Sequence, residues 1–306
     1  MNRVIAVCGP TAVGKTKYAI EIAKAFNGEI ISCDSMQIYK YMDIGSAKPT
    51  KEECSEIKHY LVDEIDPKDE FTVSDYQFLA KKYIDLIFSL GKTPVIEGGT
   101  GLYLNSLIYD MDFANSLKDE ELRNSLFKEA EDFGPEYVHD KLKALDIDAA
   151  ERIHPNNVKK VIRAIEAAMQ GNRINDFQKC CSKCQDYEIV LIGLTRNREE
   201  LYSRIEERVD QMIKQGLFDE VKSLLDNGLT ESDISMKGIG YKEIISYYNN
   251  EITYDESVEL IKKNTRHLAK RQLTWFRRYP EMKWFNINDY TDDQSLIKDI
   301  VNEIGK

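Results

Sequence analysis

No stretch of the 306-residue chain approaches the apolar length of a membrane-spanning helix. The first apolar run already starts at Val4, which leaves no room for a secretory leader, so neither a membrane protein nor an exported one is expected. There is no internal repeat and no low-complexity linker, which sets aside solenoids and tethered arrays. The dinucleotide fingerprint G-x-G-x-x-G is absent. Six cysteines in a chain of this size fit reduced thiols in a cytoplasm rather than a disulfide scaffold. Cys180, Cys181 and Cys184 cluster, but a zinc site needs a second ligand pair and none follows at suitable spacing, so loop thiols are the plainer reading. Acid is missing from one place in particular. The chain carries a net charge of −11, which argues against nucleic acid. Yet residues 260–280 hold Lys262, Lys263, Arg266, Lys270, Arg271, Arg277 and Arg278 with no Asp or Glu, leaving −18 on the remainder. A basic strip on an acidic body is the footprint of a polyanion partner, whereas a merely solvated helix face would intersperse acids at i±4.

What is present begins with a phosphate trap. Gly9-Pro10-Thr11-Ala12-Val13-Gly14-Lys15-Thr16 fits G-x-x-x-x-G-K-[ST] and follows the apolar run Val4-Ile5-Ala6-Val7 directly. The glycines let backbone N–H groups turn inward, Lys15 adds a point charge, and the Thr16 hydroxyl can ligate magnesium. A helix starting near Lys15 aims its positive end at the same anion. The loop does not say whose phosphate it holds.

The first hundred residues alternate strand and helix: Val4–Cys8, Lys15–Phe26, Glu29–Cys33, Val73–Leu90 and Thr93–Glu97. That pattern predicts an α/β fold with a parallel sheet flanked by helices and ligands outside the carboxyl ends of the strands. Between residues 112 and 187 charge-rich helical segments follow without a convincing strand, and Glu188–Leu194 then resumes a buried one. The expected organisation is a core of residues 1–111 and 188–306, its C-terminal part mostly helical, with an all-helical insertion domain at 112–187.

Several constellations sit at the predicted strand ends. Asp34, directly after the second strand, either accepts a proton or orients magnesium at the rim of the phosphate site, or simply caps the next turn. Gly98-Gly99-Thr100-Gly101 is either a plain turn or a close backbone approach with the Thr100 hydroxyl aimed at a leaving oxygen. Arg204 and Arg208, four apart on one helix, repel unless an anion lies between them; the alternative pairs Glu200 with Arg204 and leaves Arg208 in water. Lys159, Lys160 and Arg163 share the polar side of a helix in the insertion. Lys237-Gly238-Ile239-Gly240-Tyr241-Lys242 suits an element that approaches a sugar–phosphate backbone or stacks on a base. Each of these basic elements is otherwise an ordinary surface helix or turn.

Taken in order, GPTAVGKT (9–16), DSMQIYKYMDIGSAKP (34–49), GGTGLY (98–103), RIHPNN (152–157), RAIE (163–166), KGIGYK (237–242) and LAKRQLTWFR (268–277) resemble the bacterial tRNA dimethylallyltransferase family over nearly the whole chain. The resemblance implies a P-loop NTPase-like core whose loop holds the pyrophosphate of dimethylallyl diphosphate rather than ATP. It further implies transfer of the five-carbon group to N6 of the adenosine on the 3′ side of the anticodon, with magnesium as cofactor and a cytoplasmic, monomeric enzyme. In that reading Asp34 is the general base, Lys15, Thr16 and an arginine from Arg204 or Arg208 stabilise the leaving pyrophosphate, and Thr100 lies at the reaction channel. The tRNA-contacting stretches are Asp34-Ser35-Met36-Gln37, Arg123, Lys159-Lys160-Val161-Ile162-Arg163 and Lys237–Lys242, and the insertion closes over the anticodon stem-loop. Tyr41 stands where many members carry glycine, and Cys33 where many carry valine. A small-molecule P-loop kinase explains the loop but not the basic strip or the DSMQ segment. An adenylate isopentenyltransferase shares the core but needs neither the insertion nor KGIGYK.

Overall fold

A computed structural model of the chain describes residues 2–109, 111, 119–171 and 183–306. Its elements run β1 (Arg3–Cys8), α1 (Lys15–Ala25), β2 (Gly28–Cys33), α2 (Lys51–Glu56), β3 (His59–Tyr60), α3 (Val73–Ser89), β4 (Thr93–Gly98) and α4 (Gly101–Ile108). Helices α5 (Glu120–Phe133), α6 (Pro135–Leu145), α7 (Ile147–Arg152) and α8 (Val158–Met169) follow. The chain ends with β5 (Glu188–Thr195), α9 (Arg198–Lys214), α10 (Leu217–Asp226), α11 (Tyr241–Tyr248), α12 (Tyr254–Phe276), β6 (Lys283–Asn286) and α13 (Asp293–Ile304). Two compact units result: Met1–Ile108 with Cys184–Lys306, and Tyr109–Lys183.

The first unit is built on a six-stranded sheet in the order β3-β2-β4-β1-β5-β6. Every neighbouring pair is parallel, as the strand–helix alternation predicts. Strands β1, β2 and β4 read as continuous buried runs because helices cover them, which is what parallel strands require. Ile5 and Val7 join Ile30, Val95, Ile192 and Leu194 in one cluster, completed by Ile22 of α1, Ile205 of α9 and Leu296 and Ile300 of α13. Tyr76 of α3 stacks on Tyr103 of α4 with ring centroids 4.0 Å apart. Strands β3 and β6 were not anticipated from the sequence. One has two residues and the other four, too few to show a period, and their pairing comes from the sheet edge they meet.

The second unit has its own core of Leu126, Val138, Leu142, Ala149, Val161, Ile162 and Ile165. Its polar anchor is Glu166 of α8, only 1% exposed. The carboxylate accepts from Arg123 Nε at 3.0 Å and Nη2 at 2.6 Å, and from the Asp119 N–H at 2.7 Å. Asp119 in turn caps α5 by accepting from the Leu122 N–H at 2.9 Å. Burial pushes the Glu166 pKa up, but the Arg123 guanidinium and the Asp119 amide outweigh it and hold the group below its ordinary value. Arg123→Ala leaves that carboxylate buried without its partner, at an expected cost of about 3 kcal/mol to this unit. The pair stabilises above the unfolded carboxyl pKa of about 4.3 and is lost as pH falls through the lowered folded value. Hydrogen exchange in α5 and α8 therefore accelerates in the variant at neutral pH, and the difference from wild type shrinks in acid.

Candidate active site

The site is assembled by strand register. Cys8 of β1 pairs with Gly98 of β4, and Gly98 pairs with Cys33 of β2, so three adjacent strands end at one level. The next residues are Gly9, Asp34 and Gly99-Thr100. Pieces far apart in sequence thereby meet around a cleft of ≈ 300 Å³, whose lining includes Lys15, Thr16, Asp34, Glu97 and Arg208.

The phosphate loop is held from outside. Arg204 Nε donates to the Ala12 carbonyl at 3.0 Å, and Arg196 Nε donates to the Val13 carbonyl at 3.1 Å. Drawing a carbonyl outward turns the next amide of the same planar peptide the other way, so the Gly14 N–H is aimed inward. Gly14 itself has φ 105°, a conformation that costs glycine little, and it forms the N-terminal boundary of α1. Lys15 Nζ reaches back to the Pro10 carbonyl at 3.1 Å. From α12, Gln272 accepts from the Thr11 N–H at 2.8 Å and donates to the Gly99 carbonyl at 3.1 Å, tying the phosphate loop to the GGTG turn. The two arginines of α9 thus divide their work: Arg204 braces the loop backbone while Arg208 lines the cleft.

Asp34 caps the turn that follows β2 with one of its two carboxylate oxygens. Oδ1 accepts from the Met36 N–H at 2.9 Å and closes a turn, while Oδ2 has no hydrogen-bond partner among the described residues. Thr100 fixes this turn, its Oγ1 accepting from the Ser35 N–H at 3.0 Å and its own N–H donating to the Cys33 carbonyl at 3.0 Å. Gln37 is structural, accepting from the Ser32 hydroxyl at 3.0 Å and donating to the Ala47 carbonyl at 3.1 Å. Lys15, Arg208, Asp34 and Glu97 lie close enough to perturb one another here. Burial lowers the Lys15 pKa, and Glu97 and Asp34 pull it back up. Burial likewise lowers that of Arg208, opposed by the same two acids.

The loop after Asp34 is latched by Glu220 of α10. Its Oε2 accepts from the N–H groups of Asp43 at 2.8 Å and Ile44 at 2.7 Å; Oε1 accepts from the Gly45 N–H at 3.0 Å and the Tyr241 hydroxyl at 2.8 Å. The Tyr241 ring sits so close over Gly45 that a Cβ there would lie 2.6 Å from it. Lys48 closes the same loop by pairing with Asp43 at 2.6 Å and Asp63 at 2.7 Å.

The residues of the basic elements separate into buried, paired and exposed ones. Tyr241 is fully buried and pinned to Glu220, so it cannot stack on a base; Lys237 and Lys242 are the exposed members of that segment, while Ile239 and Gly240 line the cleft and Gly238 packs against Met36. In α8, Val161 and Ile162 are core residues of the second unit, and only Lys159, Lys160 and Arg163 of that stretch are exposed. Arg123 forms the pair with Glu166 described above. The acid-free strip also has acidic neighbours after all, supplied by α9: Lys262 pairs with Asp210 and Arg266 with Glu206, both at 2.7 Å. Lys263, Lys270, Arg271, Arg277 and Arg278 have no ion-pair partner among the described residues. His267, Lys270, Arg271, Thr274, Trp275 and Arg278 line a shallow groove, with Arg278 over the Trp275 ring at 4.8 Å. Cys180 and Cys181 lie outside the described residues.

Sequence reading missed Glu97, Gln272, Arg196 and Glu220. Glu97 left a trace as the one charged residue in TPVIEGG. Glu220 left none, because its partners come from another segment. The donors around the cleft that could meet a metal are oxygens: the Thr16 hydroxyl and the carboxylates of Asp34, Glu97 and Glu53, the last of which already accepts from the Thr50 N–H. Oxygen donors and few of them fit magnesium, which keeps its waters and takes one or two carboxylates with substrate phosphates.

Residues 37–279 match the IPP transferase family. The chain is 51% identical to the tRNA dimethylallyltransferase of Alkaliphilus oremlandii, over 99% of this chain and 97% of that protein. Among solved structures, the full-length tRNA isopentenylpyrophosphate transferase of Bacillus halodurans superposes with a TM-score of 0.76 at 42% identity, covering 100% of this chain and 96% of that one. A eukaryotic dimethylallyltransferase acting on tRNA gives 0.83 at 26% identity, over 98% of this chain and 78% of that one.

The latch generates a test of its own. Glu220→Ala strips three backbone amides and a buried tyrosine hydroxyl of their common acceptor, at about 1–3 kcal/mol for each group left unsatisfied and dry. Amide exchange at residues 43–47 is expected to rise at least tenfold, while the phosphate loop, held by Arg196, Arg204 and Gln272, keeps its protection.

Proposed function

The chain belongs to the IPP transferase family, and we propose that the cleft above binds dimethylallyl diphosphate with its pyrophosphate on the phosphate loop and its five-carbon chain along the apolar wall. The enzyme transfers that group to an adenosine of tRNA. One observation carries the assignment of the cleft: together with Lys15, Thr16 and Arg208 its lining brings the apolar side chains of Val209, Met212, Leu217, Ile239, Ile261 and Leu268. Such a wall suits an allylic chain and offers little to the ribose and base of ATP.

The chemistry follows from the groups present. N6 of adenine attacks C1 of the allyl group, the C1–O bond breaks, and pyrophosphate leaves with the bonding pair. Asp34 Oδ2 takes the proton from N6. Lys15, Arg208 and the inward amides of the phosphate loop stabilise the charge growing on the leaving oxygens. The Thr16 hydroxyl would hold magnesium, which when bound supplies further charge to the diphosphate. The target base has to leave its stack to reach the cleft, which costs a few kcal/mol, and the exposed cations Lys159, Lys160, Arg163, Lys237, Lys242, Lys270, Arg271 and Arg278 offset this through phosphate contacts. We assign the reaction to a monomer in the cytoplasm, the setting that the family resemblance implies; no helix among the described residues is long and apolar enough to cross a membrane.

Incubation with labelled dimethylallyl diphosphate, magnesium and either bulk tRNA, AMP or ATP tests the reading. Label enters tRNA; transfer to AMP alone, or ATP turnover without prenyl transfer, overturns it. Asp34→Asn lowers turnover by about 10²–10⁴-fold while tRNA and pyrophosphate still bind, and unchanged turnover removes Asp34 as the base. Replacing Lys159, Lys160 and Arg163 together raises the KM for tRNA and flattens its salt dependence, with the KM for dimethylallyl diphosphate unchanged.

A further inference from the structure

Glu97 has no task in the reaction as written. It is the penultimate residue of β4, in register with Val7 of β1 and Ser32 of β2, one step below the level where the phosphate loop and Asp34 leave the sheet. It is 5% exposed, and the face it shows lines the reaction cleft beside Lys15 and Thr16. Despite that burial it makes no hydrogen bond and no ion pair among the described residues; Lys15 Nζ is turned to the Pro10 carbonyl instead. Burying an unpartnered carboxylate costs several kcal/mol, and native interiors rarely keep one unless water or an ion meets it. Burial pushes its pKa up, and the Lys15 ammonium opposes that rise.

Charge narrows the choice of partner. Lys15 and Arg208 are already matched by Asp34 and Glu97, so the empty cleft carries no surplus positive charge. A diphosphate arriving alone would meet the carboxylates of Asp34, Glu53 and Glu97 together with Lys15, Lys17 and Arg208, and Lys17 is already paired with Asp293. A divalent cation removes that conflict, and a hard cation takes carboxylate and hydroxyl oxygens together with phosphate oxygens and water. We propose that Glu97 is a ligand of the divalent cation that enters with the diphosphate, making with the Thr16 hydroxyl the protein's share of its oxygen shell. This rests on the assignment of the cleft to a diphosphate. It gives the cation a second anchor on strand β4 in addition to Thr16 of α1.

Mn²⁺ and inorganic pyrophosphate test this on the full chain without turnover. Free Mn²⁺ is followed by electron paramagnetic resonance in the presence of saturating pyrophosphate, for wild type, Glu97→Gln and Glu97→Asp. Calorimetry in EDTA measures metal-free pyrophosphate binding by the same proteins. Glu97→Gln keeps the shape of the side chain, and matched thermal melts establish that the strand is intact. The expected result is at least about a tenfold loss of Mn²⁺ affinity in Glu97→Gln, a smaller loss in Glu97→Asp, and metal-free pyrophosphate binding that is equal or tighter in Glu97→Gln. Unchanged Mn²⁺ affinity in Glu97→Gln overturns the proposal, as does an equal loss in both variants. If wild type binds no pyrophosphate with or without Mn²⁺, the diphosphate assignment itself falls, and the two failures are thereby told apart.

Discussion

Everything at the site depends on three parallel strands stopping together. The pairing of Cys8 with Gly98 and of Gly98 with Cys33 places Gly9, Asp34 and Thr100 around one opening, and no local feature of those segments would do so. In a parallel sheet each strand returns through a helix, so its carboxyl end is free to launch a loop without a hairpin partner. A slip of one residue in β2 would turn every side chain of that strand to the opposite face. The continuous burial of β1, β2 and β4 is therefore the condition on which the chemistry stands.

Around that opening the backbone is fixed by side chains drawn from other segments. Arg196 and Arg204 hold loop carbonyls, Gln272 spans two loops, Thr100 clamps the Asp34 turn, and Glu220 gathers the amides of residues 43–45. The bonds from Arg196, Arg204 and Glu220 are charge-assisted and stronger than the neutral ones of Gln272 and Thr100, and together they leave little freedom to the backbone they grip. The result is a rigid rim and a cleft whose own charges cancel. An anionic leaving group can then be stabilised by groups already oriented toward it, with no reorganisation at the moment of reaction.

Local signals in the sequence were legible because each rests on short-range physics. The phosphate loop follows from glycine and lysine spacing, the α/β alternation from hydrophobic period, and the helical character of 119–169 from its charge-rich amphipathic runs. The short strands β3 and β6 were not legible, since two and four residues carry no period. Spacing on α9 showed that Arg204 and Arg208 share a face but not that one would brace the loop and the other line the cleft. A tyrosine between glycines and lysines looked like a base-stacking residue, and its burial against Gly45 and Glu220 depends on two segments remote in sequence.

The sequence by itself determined the chemistry available: a loop that binds phosphate, a carboxylate beside it, and an excess of cations confined to certain segments. Those properties belong to residue types and their spacing. The tertiary structure alone decided which of these groups are in use and which are tied up. Lys262 and Arg266 are neutralised by acids of α9, Tyr241 becomes core, and Glu97, an unremarked residue in an apolar strand, emerges as a buried carboxylate without a partner in the centre of the site. The reason is that charge and burial act through space: a side chain's partners are set by what the sheet register and helix packing bring within a few ångströms, and no window of sequence contains them.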